Sequence, residues 1–404
     1  MKILLLSTSK FSGSGKAACK LENMLKKLSI DCTHLSLLDN NNDYKNKIIY
    51  LKYRLKNKIN SLISKIWGKD IKQFQSLSFF PSDISNKINN SEYDIIHLTW
   101  INEFLSIEDI GRIKKPIVWT LCDMWPIAGI SHYEKDDEDS FWKFKNFLKY
   151  NFGKFNIDKW IIKRKIKSWK NNITFVSPSQ WLYDCAKQSV ITKKFHIKKI
   201  PWPVDRNIFC KTDKEKLRKK YNLPLQKKII LFNSFSGVYS KRKGGDLFFK
   251  ALKKIQIDFE ILIIGNKLNK SINLETKQKI SWMGKINNDF QLAELINCAD
   301  LLVLPSREDN LPQTGLEAQA CGLPIVAFDT NGVKDLVDHK IDGYLAKPFK
   351  VDSLKDGIEW TINELEKSHK LSENSLKKAR EKWDNLVIGE DYQKLYLRIL
   401  SEKN

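Results

Sequence analysis

Two acids eight residues apart, Asp309 and Glu317, stand where side chains could do chemistry on a phosphorylated ligand. Asp309 lies in a polar run, Arg307 to Leu311, and Glu317 in the segment Pro312 to Ala320 that follows. A helix beginning near Pro312 turns its free amides and positive dipole end toward that run. An anion there gains about 0.3–1 kcal/mol, and about 2 when partly buried. Glu317 then sits about a turn and a half into the helix, beside the anion site. Its carboxylate can accept the two hydrogen bonds that a ribose diol offers, and bonds to a charged group are worth about 1.5–3 kcal/mol. Asp309 could reach a second hydroxylated group on the far side of the phosphates.

The elements that must position these acids are legible around them. Leu301 to Leu304 is a continuous apolar run, as in a strand buried on both faces of a parallel sheet. Pro305 and Ser306 end it. Proline near the helix start costs no intrahelical bond, and Gly322 and Pro324 close the helix. Ile325 to Phe328 is a second buried strand. Ligands of open α/β sheets bind beyond the carboxyl ends of the strands, which is where this β-loop-α-β unit puts both acids.

Asp309-x7-Glu317 followed by Ala318-x-Ala320-Cys321-Gly322-x-Pro324 resembles the signature of glycosyltransferase family 4, a retaining group with the GT-B fold. The first acid of that signature is normally Glu; Asp309 is the aligned residue and Glu308 is one position out of register. The DNLPQT-x-x-E form resembles a bacterial branch that builds cell-surface polysaccharides. Two further segments resemble that branch. Tyr93 to Trp100 (YDIIHLTW) and Ile117 to Pro126 (IVWTLCDMWP) match its Asp-x-x-His-x-His-Trp and Thr-x-His-Asp-Met-Trp patterns at His97, Trp100, Thr120, Asp123, Met124 and Trp125. Thr99 and Cys122 stand where histidines are usual. Cysteine cannot make the hydrogen bonds by which that second histidine meets the donor sugar. Either Asp123 or His132 compensates, or the sugar sits differently.

The resemblance implies an α/β, GT-B architecture: two Rossmann-like domains facing each other across a cleft. Residues 1–203 with a returning helix 384–404 would bind the acceptor, and 204–383 the nucleotide sugar. It assigns Asp309 and Asp123 to catalysis. Gly13, Gly15, Arg242, Lys243, Gly284, Asn310, Leu311 and Glu317 fall on the donor side, and His97, Trp100, Cys122 and His132 on the acceptor side. Lys243 matches the family's diphosphate-binding lysine; the usual arginine position is Val238, so Arg242 or Lys241 would stand in. No metal and no cofactor beyond the nucleotide-diphosphate sugar is implied. The acceptor would be a saccharide or lipid-linked saccharide. The donor phosphate would take the acceptor's proton, so no protein nucleophile is required.

The rest of the chain agrees with this frame. Its 404 residues suit two domains, and 42% apolar with 11% aromatic residues can fill two cores. Lys2–Ser7, the helix from about Ala17 to Leu28, and Cys32–Leu38 make a βαβ start. The loop Lys10–Lys16 (KFSGSGK) is not a P-loop: Lys10 stands where the first glycine belongs, and no Ser or Thr follows Lys16. Further strands are expected at Ile173–Val176, Lys228–Asn233 and Phe259–Gly265. Helices are expected at Ser177–Ala186, Lys214–Tyr221, Asn288–Asn297 and Trp383–Leu400, the last returning to the first domain. No apolar run is long enough to cross a membrane, and MKILLLSTSK reads as a strand rather than a signal peptide. Seven dispersed cysteines without a C-x-x-C pair fit a reducing cytosol.

The net charge of +23, from 70 basic and 47 acidic residues, favours anionic partners. A lysine-rich compositional bias explains it as simply as an anionic membrane does. Residues 41–75 read as one amphipathic helix with a basic face, either an ordinary exposed helix or one lying on headgroups. Phe141 to Lys170 mixes aromatic and basic residues, a texture shared by monotopic helices and single-strand nucleic-acid surfaces. No nucleic-acid motif accompanies it, so the expectation is a cytoplasmic protein, peripheral at the inner membrane face. The acids Asp136 to Asp139 read as a solvated loop and not as a metal site. A nucleotide-sugar epimerase, a nucleic-acid binder and a catalytically silent relative are the other readings.

Overall fold

The computed structural model describes residues 1–38, 44–66, 74–149, 156–233, 240–265 and 276–402. The chain forms two compact units, Met1–Pro201 with Gly389–Asn404, and Trp202–Ile388. Each is built on a six-stranded sheet in which every neighbouring pair is parallel.

The first sheet contains β1 (Lys2–Ser9), β2 (Asp31–Leu38), β3 (Ile95–Leu98), β4 (Ile117–Thr120), β5 (Ile173–Ser177) and β6 (His196–Lys199), in the order β2-β1-β3-β4-β5-β6. β1, β3 and β4 are buried along nearly their whole length, as apolar runs covered on both faces must be. β6 was not anticipated: only Ile197 of its four residues is buried, too little apolar signal for an edge strand. Trp119, Trp169 and Phe175 centre the core, Trp119 lying 5.1 Å from Trp169 and 5.7 Å from Phe175.

Helix α1 (Gly13–Lys27) begins earlier than its apolar spacing predicts. Ser12 caps it, its hydroxyl accepting from the Gly15 amide at 3.0 Å, so Gly13 to Lys16 form a first helical turn instead of a loop. Helix α2 covers Tyr44–Ile66 of the 41–75 expected; 41–43 and 67–73 lie outside the described residues, and Gln75 pairs with Ser131 in an isolated bridge. The helix expected from Ser177 starts at Gln180, capped by Ser179. Much of the aromatic-basic stretch 141–170 goes inward: Trp142, Ile161, Ile162, Lys165 and Trp169 are buried. Residues 150–155 of it are outside the described set. Asp136, Glu138 and Asp139 are exposed, and Asp136 also accepts from the Trp181 indole at 2.9 Å and pairs with Lys143 at 3.0 Å.

The second sheet contains β7 (Lys228–Asn233), β8 (Phe259–Ile264), β9 (Ile280–Trp282), β10 (Leu301–Leu304), β11 (Ile325–Phe328) and β12 (Gly343–Ala346), ordered β12-β11-β10-β7-β8-β9. The order reverses between β10 and β7, the switch point at which such sheets bind ligands. The final helix, Asn385–Ser401, returns to the first unit. Its buried Tyr392 and Tyr396 hydroxyls meet Thr120 Oγ1 at 3.0 Å and His97 Nδ1 at 2.6 Å. Among the described residues no helix is long and apolar enough to cross a membrane.

Candidate functional site

In the second unit Asp309 follows β10 and precedes the Gln313–Ala320 helix. Its carboxylate meets Lys243 Nζ in a short ion pair and Arg242 Nη1 at 3.5 Å. The loop is sewn to the 241–243 turn from outside: Arg307 N donates to the Arg242 carbonyl at 2.8 Å, and its guanidinium grips Asp246 with two bonds of 2.7 Å. Gly244 makes the close approach possible. It sits at φ +70°, and a Cβ there would meet the Pro305 carbonyl oxygen at 1.7 Å. Burial by itself would raise the Asp309 carboxyl, but Lys243 and Arg242 hold it below the usual carboxylate range.

Glu317 is buried on the same helix, and Asn310 and Leu311 are buried in the loop before it. Gln313, in the first helical turn, was not singled out from sequence. Both atoms of its side-chain amide are buried without a hydrogen-bond partner. A buried orphan amide costs about 1–3 kcal/mol, a cost that falls here in the helical turn after Asp309. Gly284 follows β9 at φ +69° with nothing within 4 Å of a built Cβ, so it is there for its backbone conformation. Val238 lies outside the described residues.

In the first unit Asp123 follows β4. The Trp100 indole donates to its Oδ2 at 3.0 Å, His132 Nδ1 lies 2.5 Å from that oxygen, and the Trp125 amide donates to Oδ1 at 3.0 Å. His132 Nε2 lies 2.5 Å from Ser76 Oγ, and the Asn102 side chain closes the chain on Ser76. Ser76 Oγ donates its one proton to the Asn102 side-chain oxygen, so it meets His132 Nε2 as an acceptor. The order Ser-His-Asp matches that of a hydrolytic triad, but Ser76 is wholly buried and no substrate atom can reach it. The chain orients Asp123. Ser76 and Asn102 carry no local sequence signal that could have found them.

The remaining acceptor-side residues are not gathered at Asp123. His97 is fully buried, with Nδ1 bonded to Tyr396 and Nε2 to Thr120 at 2.8 Å, and burial drops its pKa to about 3. It is a neutral ring that joins the returning helix to the sheet. Thr99 Oγ1 donates to the Leu6 carbonyl at 3.1 Å. Cys122 directs Sγ to the Thr120 carbonyl at 3.8 Å, and burial pushes its thiol well above the usual range, so it is no thiolate nucleophile. Gly15 is buried where a Cβ would meet the Ser9 carbonyl oxygen at 1.7 Å, which explains the glycine by helix-strand packing; Gly13 is open. Lys165, fully buried, donates to the carbonyls of Trp125, Ala128 and Gly129 and braces the loop that carries Asp123.

Residues 213–401 match the family model for glycosyl transferases group 1. Across 98% of this chain and 100% of its own, the crystal structure of Anabaena HepE in complex with UDP and glucose superposes with a TM-score of 0.67 at 17% identity. The fold is GT-B. Among curated proteins, N-acetyl-alpha-D-glucosaminyl L-malate synthase of Bacillus anthracis is 24% identical over 207 residues, 49% of this chain and 53% of its own. N,N'-diacetylbacillosaminyl-diphospho-undecaprenol alpha-1,3-N-acetylgalactosaminyltransferase of Campylobacter jejuni is 25% identical over 197 residues, 48% of this chain and 50% of its own. The chain thus spans about half the length of these relatives. Lys243, Asp309 and Glu317 fall inside the region that the group 1 family model matches; Asp123 and His132 fall outside it.

Proposed function

We propose that this chain is a retaining family 4 glycosyltransferase of a bacterial surface-polysaccharide pathway. It moves a sugar, most simply a hexose, from a nucleotide-diphosphate sugar to a saccharide or lipid-linked saccharide, in the cytoplasm. The observation that carries the reading is the cation pair Lys243 and Arg242 held on Asp309 at the start of the helix bearing Gln313 and Glu317. Charge that develops on a leaving diphosphate meets two fixed cations there, at a helix N-terminus, without a metal ion. Asp309 holds hydroxyls of the transferred sugar, Glu317 the ribose, and the second unit is the donor-binding one. Asn310, Leu311, Gln313 and Gly284 shape the donor site around them. In the first unit Asp123, aimed by Trp100 and His132, receives the acceptor. The donor phosphate takes the acceptor's proton. The Anabaena structure with UDP and glucose and the Campylobacter relative's undecaprenol-linked name support the donor and acceptor classes.

The test is a thermal-shift panel of nucleotide sugars run with EDTA. A true donor raises the melting point by mass action. In calorimetry, Glu317→Gln should weaken that donor by about tenfold, from the loss of charge-assisted bonds. A panel in which no nucleotide sugar shifts the protein ends the reading; unchanged affinity in the variant removes only Glu317.

A further inference from the structure

Helix α2 turns the wrong residues outward for a helix of an isolated soluble protein. Leu51, Leu55, Leu62 and Ile66 are 62%, 58%, 59% and 67% exposed. At ~100° per residue they fall within an arc of about 60°, a stripe about 22 Å long. Basic side chains flank it: Arg54, Lys58 and Lys65 are exposed on one side, and Lys52 and Lys56 lie on the other. The opposite face points to the protein and carries the buried Asn60, with Asn57 bonded to the Tyr53 carbonyl at 3.1 Å and Ile63 on the core. The helix therefore carries apolar side chains outward as well as inward, where Ile63 already meets the core. Over its whole length, Tyr44–Ile66, the helix has seven basic residues and no acid.

A second exposed cluster of rings and cations lies on the neighbouring segments. Lys56 Nζ lies 5.6 Å from the Phe80 ring centroid, and Phe79 beside it is 6.1 Å from Trp160. Phe79 and Trp160 are exposed, and the Arg164 guanidinium lies over both rings, at 5.4 Å and 4.7 Å. An apolar stripe rimmed by cations has the chemistry of the interface between acyl chains and headgroups, and so does an exposed indole under a guanidinium. A second copy of the same helix would set like charges against like along the whole stripe.

We propose that α2 docks this protein on an anionic lipid bilayer, its leucines entering the acyl boundary and its lysines pairing with headgroup phosphates. This goes beyond the glycosyl-transfer reading and does not depend on it. The experiment is co-sedimentation of the full chain with vesicles of phosphatidylcholine and phosphatidylglycerol in equal parts, and with phosphatidylcholine alone. Wild type should sediment with the mixed vesicles and not with the neutral ones. Leu55→Ser with Leu62→Ser should lower the vesicle affinity by about tenfold or more per leucine. The far-UV spectrum and the nucleotide-sugar thermal shift should stay as in wild type. In a separate gain-of-signal variant, Leu62→Trp, the added indole emission should move to the blue on mixed vesicles only. Wild type that ignores anionic vesicles overturns the proposal and leaves the stripe to an acidic protein. A double serine variant that folds and still binds also overturns it. So does a wild type that sediments as a dimer in ultracentrifugation while the serine variant is monomeric.

Discussion

Asp309 and Asp123 are both buried carboxylates just past the end of a parallel strand, and they are held in opposite ways. Asp309 faces two cations, Lys243 and Arg242. Asp123 faces an indole, an imidazole and a backbone amide. The first arrangement puts positive charge beside a buried acid and can balance a phosphorylated ligand that arrives. The second aims one carboxylate without placing a fixed cation against it. The group 1 family model reaches the first and not the second. The cation pair thus lies in the matched half of the chain, and the Trp100–His132–Asp123 network lies outside it.

That contrast can be broken at three places. Lys243→Ala leaves Asp309 buried with its main partner gone. A loss of about 3 kcal/mol is expected in urea unfolding, because a broken buried pair strands a charge. The gap from wild type should narrow as the pH falls through the carboxylate range. Wild-type Asp309, held low, contributes stability above the usual carboxylate pKa and loses it only as the pH drops through its own lower value. In the variant, burial without the cation lifts that carboxyl, so protonation relieves the penalty early. A gap independent of pH would show that charge is not what Lys243 supplies. Asp123→Asn keeps the shape and most donors, and should cost about 1–2 kcal/mol in the same measurement. A cost equal to that of Lys243→Ala would erase the difference between the sites. Cys122→Ser, next to Asp123, should change stability by less than about 1 kcal/mol and leave the nucleotide-sugar thermal shift in place. A larger loss of ligand response would move the first unit's chemistry from Asp123 to Cys122.

Much of this was open to the sequence. The acids at 309 and 317 lie on one loop and the helix after it, so their relation is local and their spacing survives folding. Strands such as Lys228–Asn233 announce themselves as apolar runs, and the final helix by its 3.6-residue period. Gly13–Lys16 was misjudged because a Ser cap overrode two poor helix formers. His97 carried the right motif letter, but its two nitrogens answer to Thr120 and to Tyr396, 299 positions away.

The apolar-run strands, the two-unit plan and the placement of Asp309 and Glu317 on one loop and its following helix were determined by the sequence, since period, punctuation and short spacing are properties of a chain segment by itself. Tertiary structure alone decided three things. It joined Ser76 to His132, 56 positions apart, and so aimed Asp123. It brought the Gly244 turn against Pro305, so that Lys243 meets Asp309. It turned the leucines of α2 to the outside, because a helix's period says which residues share a face and only its packing says which face the protein covers.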